Sequence, residues 1–176
     1  MGWTAPKVWA STTLASADMN TYISDDLTYL KSQTQVLPVN VFTCPAPGTD
    51  WTPELNGAGL AASLATKKCW LPLNMLQQND IIVSYKLVGD ATEAAALTLD
   101  CKLVTINKAD PITNTDVVGG DIVQVDANGN FDVEATLTAG ETVATDKQYA
   151  LEILGTCGIG DSITVMGAEV TITRVN

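Results

Sequence analysis

The residues that could perform chemistry in this chain are few, and their spacing matches no familiar catalytic or metal-binding pattern. The chain contains no histidine, which removes Ser-His-Asp and Cys-His catalysis, most catalytic zinc sites and facial-triad iron sites. No P-loop, dinucleotide-binding glycine pattern or G-x-S-x-G motif occurs. We therefore expect a protein that is not an enzyme and has no catalytic residues, no cofactor and no bound metal.

Two carboxylates and two turn-like stretches are the remaining candidates for a catalytic or ligand-binding site. Asp132 and Glu134 could hydrolyse a glycoside if a cleft raised one pKa, but both fall on the outward parity of a predicted strand. The stretch 126–130 (DANGN) lacks the ligand spacing of a calcium loop. The stretch 155–161 (GTCGIGD) precedes another strand rather than a helix, so we interpret it as a hairpin turn.

The four cysteines, Cys44, Cys69, Cys101 and Cys157, form no C-x-x-C pair and no zinc-ligand spacing. Cys101 and Cys157 fall on the apolar parity of alternating segments, so we expect both in the core, where they could be near neighbours. Because we expect synthesis in a reducing cytosol, thiols are favoured over a disulfide.

Charge and composition limit the partners. The net charge is −11, with 20 acidic and 9 basic residues, so we expect neither nucleic acid nor an anionic membrane as a partner. Only 16% of residues are charged, which fits either a threonine-rich strand surface or an exterior hidden against partners. The N-terminus lacks a secretion signal and no apolar run is long enough to span a membrane, which predicts a cytosolic protein or one carried in a particle assembled there.

Helical periodicity is confined to one segment, for which we predict a helix over residues 17–32. Asp26 lies inside its apolar arc, either leaning to solvent or pairing as a partly buried acid with a neighbouring cation or N–H group. A helix of this length is marginal alone in water, so it must dock on its own sandwich or on another subunit. The apolar residues fall on an arc about 160° wide: Met19, Tyr22, Ile23, Leu27, Tyr29 and Leu30.

From Val36 onward, apolar and polar residues alternate, which predicts a mainly β fold: an antiparallel β-sandwich, a jelly roll, preceded by one N-terminal α-helix. We assign residues 1–35 to an attachment segment and 36–176 to the sandwich. Parity changes between Val165 and Ala168, which predicts a β-bulge at Met166-Gly167. The residues predicted to point inward are Ile81, Val83, Tyr85, Leu87, Leu97, Leu99, Cys101, Leu103, Phe131, Val133, Ala135, Leu137, Tyr149, Leu151, Ile153 and Cys157.

Turn and loop residues punctuate these strands. Pro38 restricts the strand over residues 36–44 to an edge or entry position. The stretch 45–63 is rich in Pro and Gly, so we predict a long surface loop, in which Trp51 is either a plug over the sandwich end or a platform for a ligand. A hairpin is predicted around residues 127–130, with residues 131–137 as its second arm.

The N-terminal residues resemble a segment found near the N-termini of structural proteins of tailed bacteriophages. The segment runs from Trp3 to Lys31, and the pattern begins with an aromatic residue, a Pro-x-x-Trp (Pro6–Trp9) and a short polar stretch. Leu-Thr-Ala-x-Asp-Leu-Asn follows, and then an amphipathic helix with Asp-Asn-Leu-x-x-Leu-Lys near its end. Ala15 replaces the pattern's Thr, and Asp26 replaces its second Asn. The other matching residues are Leu14, Asp18, Met19, Asn20, Asp25, Leu27, Leu30 and Lys31.

This resemblance implies a virion protein, assembled in the host bacterial cytoplasm, that attaches through its N-terminal segment and displays a β-sandwich, commonly as a homotrimer. Its partners would be copies of itself and the major capsid protein or other virion proteins. The partner-binding residues would be Trp3, Pro6, Trp9, Leu14, Met19, Tyr22, Ile23, Asp26, Leu27 and Leu30.

Two functions follow from the sequence. The leading one is a non-enzymatic, homotrimeric capsid decoration (cement) or head-fibre protein. The alternative is a tail-fibre or baseplate module that binds a host surface glycan through Trp51 and the Asn56-Gly57 loop, because aromatic faces and amides suit sugars.

Overall fold

A computed structural model of the chain describes residues 16–39, 51–54, 57–61, 65–93, 97–109, 111–122 and 128–175. One helix precedes ten strands. The elements are α1 (Ser16–Lys31), β1 (Ser32–Val39), β2 (Trp51–Glu54), β3 (Gly57–Ala61), β4 (Lys67–Pro72), β5 (Ile81–Thr92), β6 (Leu97–Asn107), β7 (Thr113–Ile122), β8 (Gly129–Thr142), β9 (Lys147–Cys157) and β10 (Ser162–Val175).

The strands form two antiparallel sheets with jelly-roll topology, which confirms the predicted fold class. Sheet A has the order β2-β3-β10-β5-β8, with β1 also paired to β10, and sheet B has the order β4-β9-β6-β7. From β3 to β10 the chain moves between the sheets at every connection except the β6–β7 hairpin. This alternation packs the six-stranded sheet A and the four-stranded sheet B around one core, as in jelly rolls.

Alternation along the strands builds this core as predicted. On β6, Leu97, Leu99, Cys101 and Leu103 are buried, while the intervening residues point outward. The predicted inward residues of β8 and β9 also belong to the core or pack against it. Because successive strand residues face opposite sides, the sequence parity was sufficient to identify the buried face of these strands.

The predicted bulge in the last strand is present. Pairing of β10 with β5 shifts between Val165 and Gly167, so Met166 is exposed while Val165 and Ala168 are both buried. The extra residue shifts the alternation of β10 by one position, so the apolar residues before and after the bulge all face the core.

A second bulge was not predicted, and it makes part of the β5 assignment wrong. Pairing of β5 with β8 shifts between Ile82 and Ser84. Ile82 is consequently buried, whereas Ile81 and Val83, which we predicted to point inward, are only half-buried. Tyr85 and Leu87 are buried as predicted.

Two predicted hairpins are also wrong, because the chain changes sheet at both places. β7, which ends at Ile122, belongs to sheet B, and β8, which begins at Gly129, belongs to sheet A. The stretch 155–161 likewise connects β9 in sheet B to β10 in sheet A. It does contain a tight turn, in which the Gly158 N–H donates to Asp161 Oδ2 at 2.7 Å.

The N-terminal part of the sheet differs from the prediction in two ways. β1 begins at Ser32 and pairs with β10 through Val39, so the predicted boundary between residues 35 and 36 falls within an edge strand. The predicted loop over residues 45–63 contains the β2–β3 hairpin. Gly57 is required there, because a Cβ at this position would lie 2.0 Å from the Val165 carbonyl oxygen.

Tyr85 links the two sheets through its hydroxyl. From β5 in sheet A, this group donates to the carbonyl oxygens of Cys101, at 2.7 Å, and of Gly120, and it accepts the Ile122 N–H at 3.3 Å. Burial raises the pKa of Tyr85 far above its usual range. The phenol therefore stays neutral and satisfies polar backbone groups of sheet B inside the core.

A buried ion pair connects the β4–β5 loop to β10. Arg174 donates to both carboxylate oxygens of Asp80, at 2.9 and 2.7 Å, and the Gln77 N–H donates to Oδ2 at 2.8 Å. The guanidinium beside Asp80 holds the pKa of this carboxyl below its usual value. Because all these donors favour the ionised form, the carboxylate remains charged although it is buried.

Candidate functional site

The described residues contain no group of three or more His, Cys, Asp or Glu side chains arranged to hold a metal ion. Asp132 and Glu134 lie exposed on the outer face of sheet A, where Asp132 pairs with Lys86 at 3.2 Å. In the described part of the chain, no helix is long and apolar enough to cross a membrane.

The three described cysteines are buried, unbridged thiols. Cys101 pairs with Ile153, and Cys157 pairs with Leu97 four positions away along β6. At about 3.3 Å per residue their Cα atoms are roughly 13 Å apart, well beyond the 7 Å or so that a disulfide tolerates. Burial raises the pKa of the Cys101 thiol well above its usual value, which disfavours the reactive thiolate. Cys44 lies outside the described residues.

Trp51 is buried, so the prediction that it serves as a contact for a glycan is wrong. Only 3% of the residue is exposed, and its ring packs beside Gly155 and Leu60 in the core. Its function is therefore that of a plug, the other interpretation of this residue. Asn56, the proposed second contact, lies outside the described residues, and Gly57 is buried.

Two residues on the apolar side of α1 are exposed. Ile23 is 51% and Leu27 is 52% exposed, and among the described elements α1 packs appreciably only against β1, the strand that follows it. Tyr22 is half-buried. Among the described elements, the sandwich therefore closes its core without help from the helix.

Asp26 lies on the same side of α1 and carries a buried oxygen atom. Among the described residues, its Oδ1 atom has no hydrogen-bond partner, so this oxygen does not lean to solvent. A buried, unpaired carboxylate oxygen is costly. A donor from a bound partner would remove that cost, in agreement with the interpretation of Asp26 as a pairing acid.

The remaining predicted partner-binding residues cannot be assigned contacts. Trp3, Pro6, Trp9 and Leu14 lie outside the described residues. Met19 and Leu30 belong to α1, but the structure does not describe their side chains.

The outer face of sheet B is a second candidate surface that the sequence analysis missed. On β4, Cys69 and Leu71 point into the core, while Lys68 and Trp70 point outward and Trp70 is partly exposed. The strand register places Trp70 beside Glu152, Glu152 beside Lys102, and Lys102 beside Asp121. The sequence did contain a signal for this surface. Trp70 shares its side of the strand with Lys68, whereas the apolar residues Cys69 and Leu71 lie on the other side. We call this row of four residues, with Lys68 and Asp116, the Trp70 face.

Ion pairs hold the charged side chains of the Trp70 face in place. Lys68 Nζ lies 3.2 Å from Glu152 Oε2, and Lys102 Nζ lies 3.2 Å from Asp116 Oδ2. The Glu152 side chain is only 9% exposed, although it points outward as predicted. These pairs order the polar groups around the tryptophan.

Two shallow clefts lie on either side of Lys147, with volumes of about 310 and 320 Å³. The polar groups there are engaged with one another: Glu141 Oε1 accepts from Lys147 Nζ at 3.3 Å and from the Tyr149 hydroxyl at 3.2 Å. These contacts connect the end of β8 to the beginning of β9.

The chain matches no protein-family model, and no curated protein sequence matches it. Solved structures resemble it in fold. A xylan-binding module, CBM15, has a TM-score of 0.50 at 12% identity, with 80% of this chain and 97% of that one covered. The CBM36-1 domain of a multidomain xylanase from the hindgut metagenome of Trinervitermes trinervoides has a TM-score of 0.46 at 9% identity, with 78% and 96% covered. At such identities the likeness shows the β-sandwich fold and nothing further.

Proposed function

We propose that this chain is a non-enzymatic structural protein of a bacteriophage virion, a homotrimeric capsid decoration or head-fibre protein that docks through its N-terminal segment and displays the jelly roll outward. The observation that carries the proposal is the exposed pair Ile23 and Leu27 on α1, which the described part of the sandwich leaves half exposed. The resemblance of residues 3–31 to attachment segments of tailed-phage proteins supports the same function.

The physical argument concerns the stability of the helix. A helix of 16 residues is marginal in water unless an apolar surface covers one side. Burying a leucine or isoleucine side chain contributes about 1.5–3 kcal/mol. A partner surface that covers Ile23 and Leu27 and offers a donor to Asp26 would therefore order the helix on docking.

Deletion of residues 1–31 tests this function, because the deletion ends where β1 begins. The truncated chain should remain folded and soluble, by circular dichroism and thermal melting, but should no longer co-sediment with particles of the phage. The full-length chain should sediment as a trimer in analytical ultracentrifugation. Full decoration of particles by the truncated chain, or a monomeric full-length chain, would contradict the proposal.

A matched pair of variants locates the docking surface on α1. Ile23→Ser with Leu27→Ser should reduce particle binding at least tenfold, because both side chains are exposed on the apolar arc. Asn20→Ser with Asp25→Asn changes two exposed residues outside the apolar arc and should leave binding unchanged. Equal loss in both variants would mean that docking does not use the apolar arc.

Glycan recognition is a second candidate function, favoured by one observation: the partly exposed Trp70 lies on the outer face of a regular sheet among ordered charged groups. The similar fold of a module that binds xylan is compatible with it. A glycan array probed with the full-length chain tests this function, and the absence of any bound glycan would exclude it.

A further inference from the structure

We propose that the Trp70 face binds a neutral oligosaccharide, with one sugar ring stacked on Trp70 and the following rings extending across β9 and β6. This inference rests on the second candidate function and names its site and ligand class. It moves glycan contact from the buried Trp51 to a side chain that solvent reaches.

The dimensions of the row fit a short oligosaccharide. Trp70, Glu152, Lys102 and Asp121 lie on four neighbouring strands in direct register. Neighbouring strands are about 4.8 Å apart, so the row from Trp70 to Asp121 spans roughly 14 Å. A sugar unit in an extended chain has about the length of one strand spacing, so two to three units would cross the face.

The side chains along the row offer complementary contacts. An indole presents a negative π face, which suits the apolar C–H face of a pyranose ring. The exposed Asp121 accepts hydrogen bonds. Lys102 donates them, and Glu152, only 9% exposed, lies between Trp70 and Lys102. Because ion pairs to Lys68 and Asp116 already hold Glu152 and Lys102, little side-chain entropy would be lost on binding.

The charge of this surface selects neutral rather than acidic sugars. The Trp70 face contains two lysines, Lys68 and Lys102, and three carboxylates, Glu152, Asp116 and Asp121. The net charge of the whole chain is −11. Both lysines are engaged with carboxylates. A uronate or sialate would therefore meet net repulsion, whereas hydroxyl groups would not.

Among the described residues, the opposite surface of the molecule has no such platform. Across the outer face of sheet A, one row consists of Val36, Thr171, Ser84 and Thr136. The aromatic residues in the described strands of sheet A, Trp51, Tyr85 and Phe131, are all buried. This difference makes sheet A a natural internal control.

The experiment begins with the full-length chain on an array of neutral and acidic oligosaccharides. The neutral glycan that binds best is then used in titration calorimetry. We expect Trp70→Ala to weaken binding at least tenfold and Trp70→Tyr, which keeps an aromatic face, to weaken it less than threefold. Lys102→Gln should weaken binding severalfold. Thermal melting of each variant shows whether the fold is retained.

Lys86→Gln is the matched control, because Lys86 and Lys102 each pair with an aspartate at 3.2 Å and their side chains are 33% and 32% exposed. It should leave affinity unchanged. If neutral glycans bind but Trp70→Ala, still folded, binds as well as the natural chain, the site is wrong while glycan recognition stands. If only acidic glycans bind, the ligand class is wrong. If no glycan binds, both the site and the second candidate function fail.

Discussion

The jelly roll and the N-terminal helix treat their apolar side chains in opposite ways. In the sandwich, Leu99, Leu103 and Leu151 are completely buried, whereas Ile23 and Leu27 on α1 are half exposed. The sandwich is thus stabilised by its own core, while the helix lacks a covering surface among the described elements. We therefore expect substitutions in the sandwich core to reduce the stability of the fold, and substitutions on the exposed side of α1 to reduce docking instead.

The largest effect is expected in the core. Leu103→Ala should destabilise the chain by about 2–5 kcal/mol, because it removes buried methyl groups and leaves a cavity between the sheets. Urea unfolding followed by tryptophan fluorescence measures this loss. Leu27→Ala, the same substitution on α1, should change stability by less than about 0.5 kcal/mol. Similar losses would mean that the helix belongs to the core.

The Asp80–Arg174 pair should produce the next largest effect. Asp80→Ala should cost roughly 2–3 kcal/mol, because charged hydrogen bonds are lost and Gln77 N–H loses its acceptor. Since the pKa of Asp80 is lowered in the folded state, its stabilisation is complete above the unfolded value of about 3.9. It disappears as the pH falls from there through the folded pKa.

Thermal melts between pH 2 and 7 test this dependence. In Asp80→Asn, the decrease of melting temperature on the acid side should be shallower than in the natural chain. Asp132→Asn, which removes an exposed carboxylate paired with Lys86, is the control and should keep most of the slope. An unchanged slope in Asp80→Asn would contradict the assigned protonation.

Removal of the Tyr85 hydroxyl, which links the two sheets, should reduce the free energy of unfolding by a smaller amount. Tyr85→Phe should destabilise the chain by about 1–2 kcal/mol, because buried backbone groups of Cys101, Gly120 and Ile122 lose their partner. Urea unfolding measures the loss. A neutral substitution would mean that these groups find other partners.

The smallest effect on stability should come from the α1 variant Ile23→Ser with Leu27→Ser. We expect less than about 0.5 kcal/mol in urea unfolding of the isolated chain, although the same variant should lose particle binding. A large loss of stability would show that the helix is already covered in the free protein, which would remove the difference between the two regions.

The sequence predicted the buried face correctly for strands in which apolar and polar residues alternate strictly. Leu97, Leu99 and Leu103 alternate with polar residues, so one face of β6 was unambiguous. The β10 bulge was visible because the apolar parity changes between Val165 and Ala168. The β5 bulge was not, since Ile81, Ile82 and Val83 are all apolar and either parity suits the core.

The errors share a physical cause, which is that local chemistry does not specify the partner of a strand. Gly158 and Asp161 form the expected turn, but a turn does not tell whether the next strand stays in the same sheet. Gly57 suggested a loop, whereas it permits close approach to Val165. Trp51 lies between two polar residues and is nevertheless buried, whereas Trp70 lies between Cys69 and Leu71 and points outward. For Trp51, only the packing shows that the ring belongs to the core.

The continuity of α1 with β1 has a mechanical consequence. Lys31 ends the helix and Ser32 begins a strand that is paired with β10 over eight residues. A tension applied to a docked helix along the direction of β1 would load these backbone hydrogen bonds together, in shear, rather than one after another. The tether would then yield only when the whole ladder slides, so the displayed domain would resist detachment without any covalent bond to the surface beneath it.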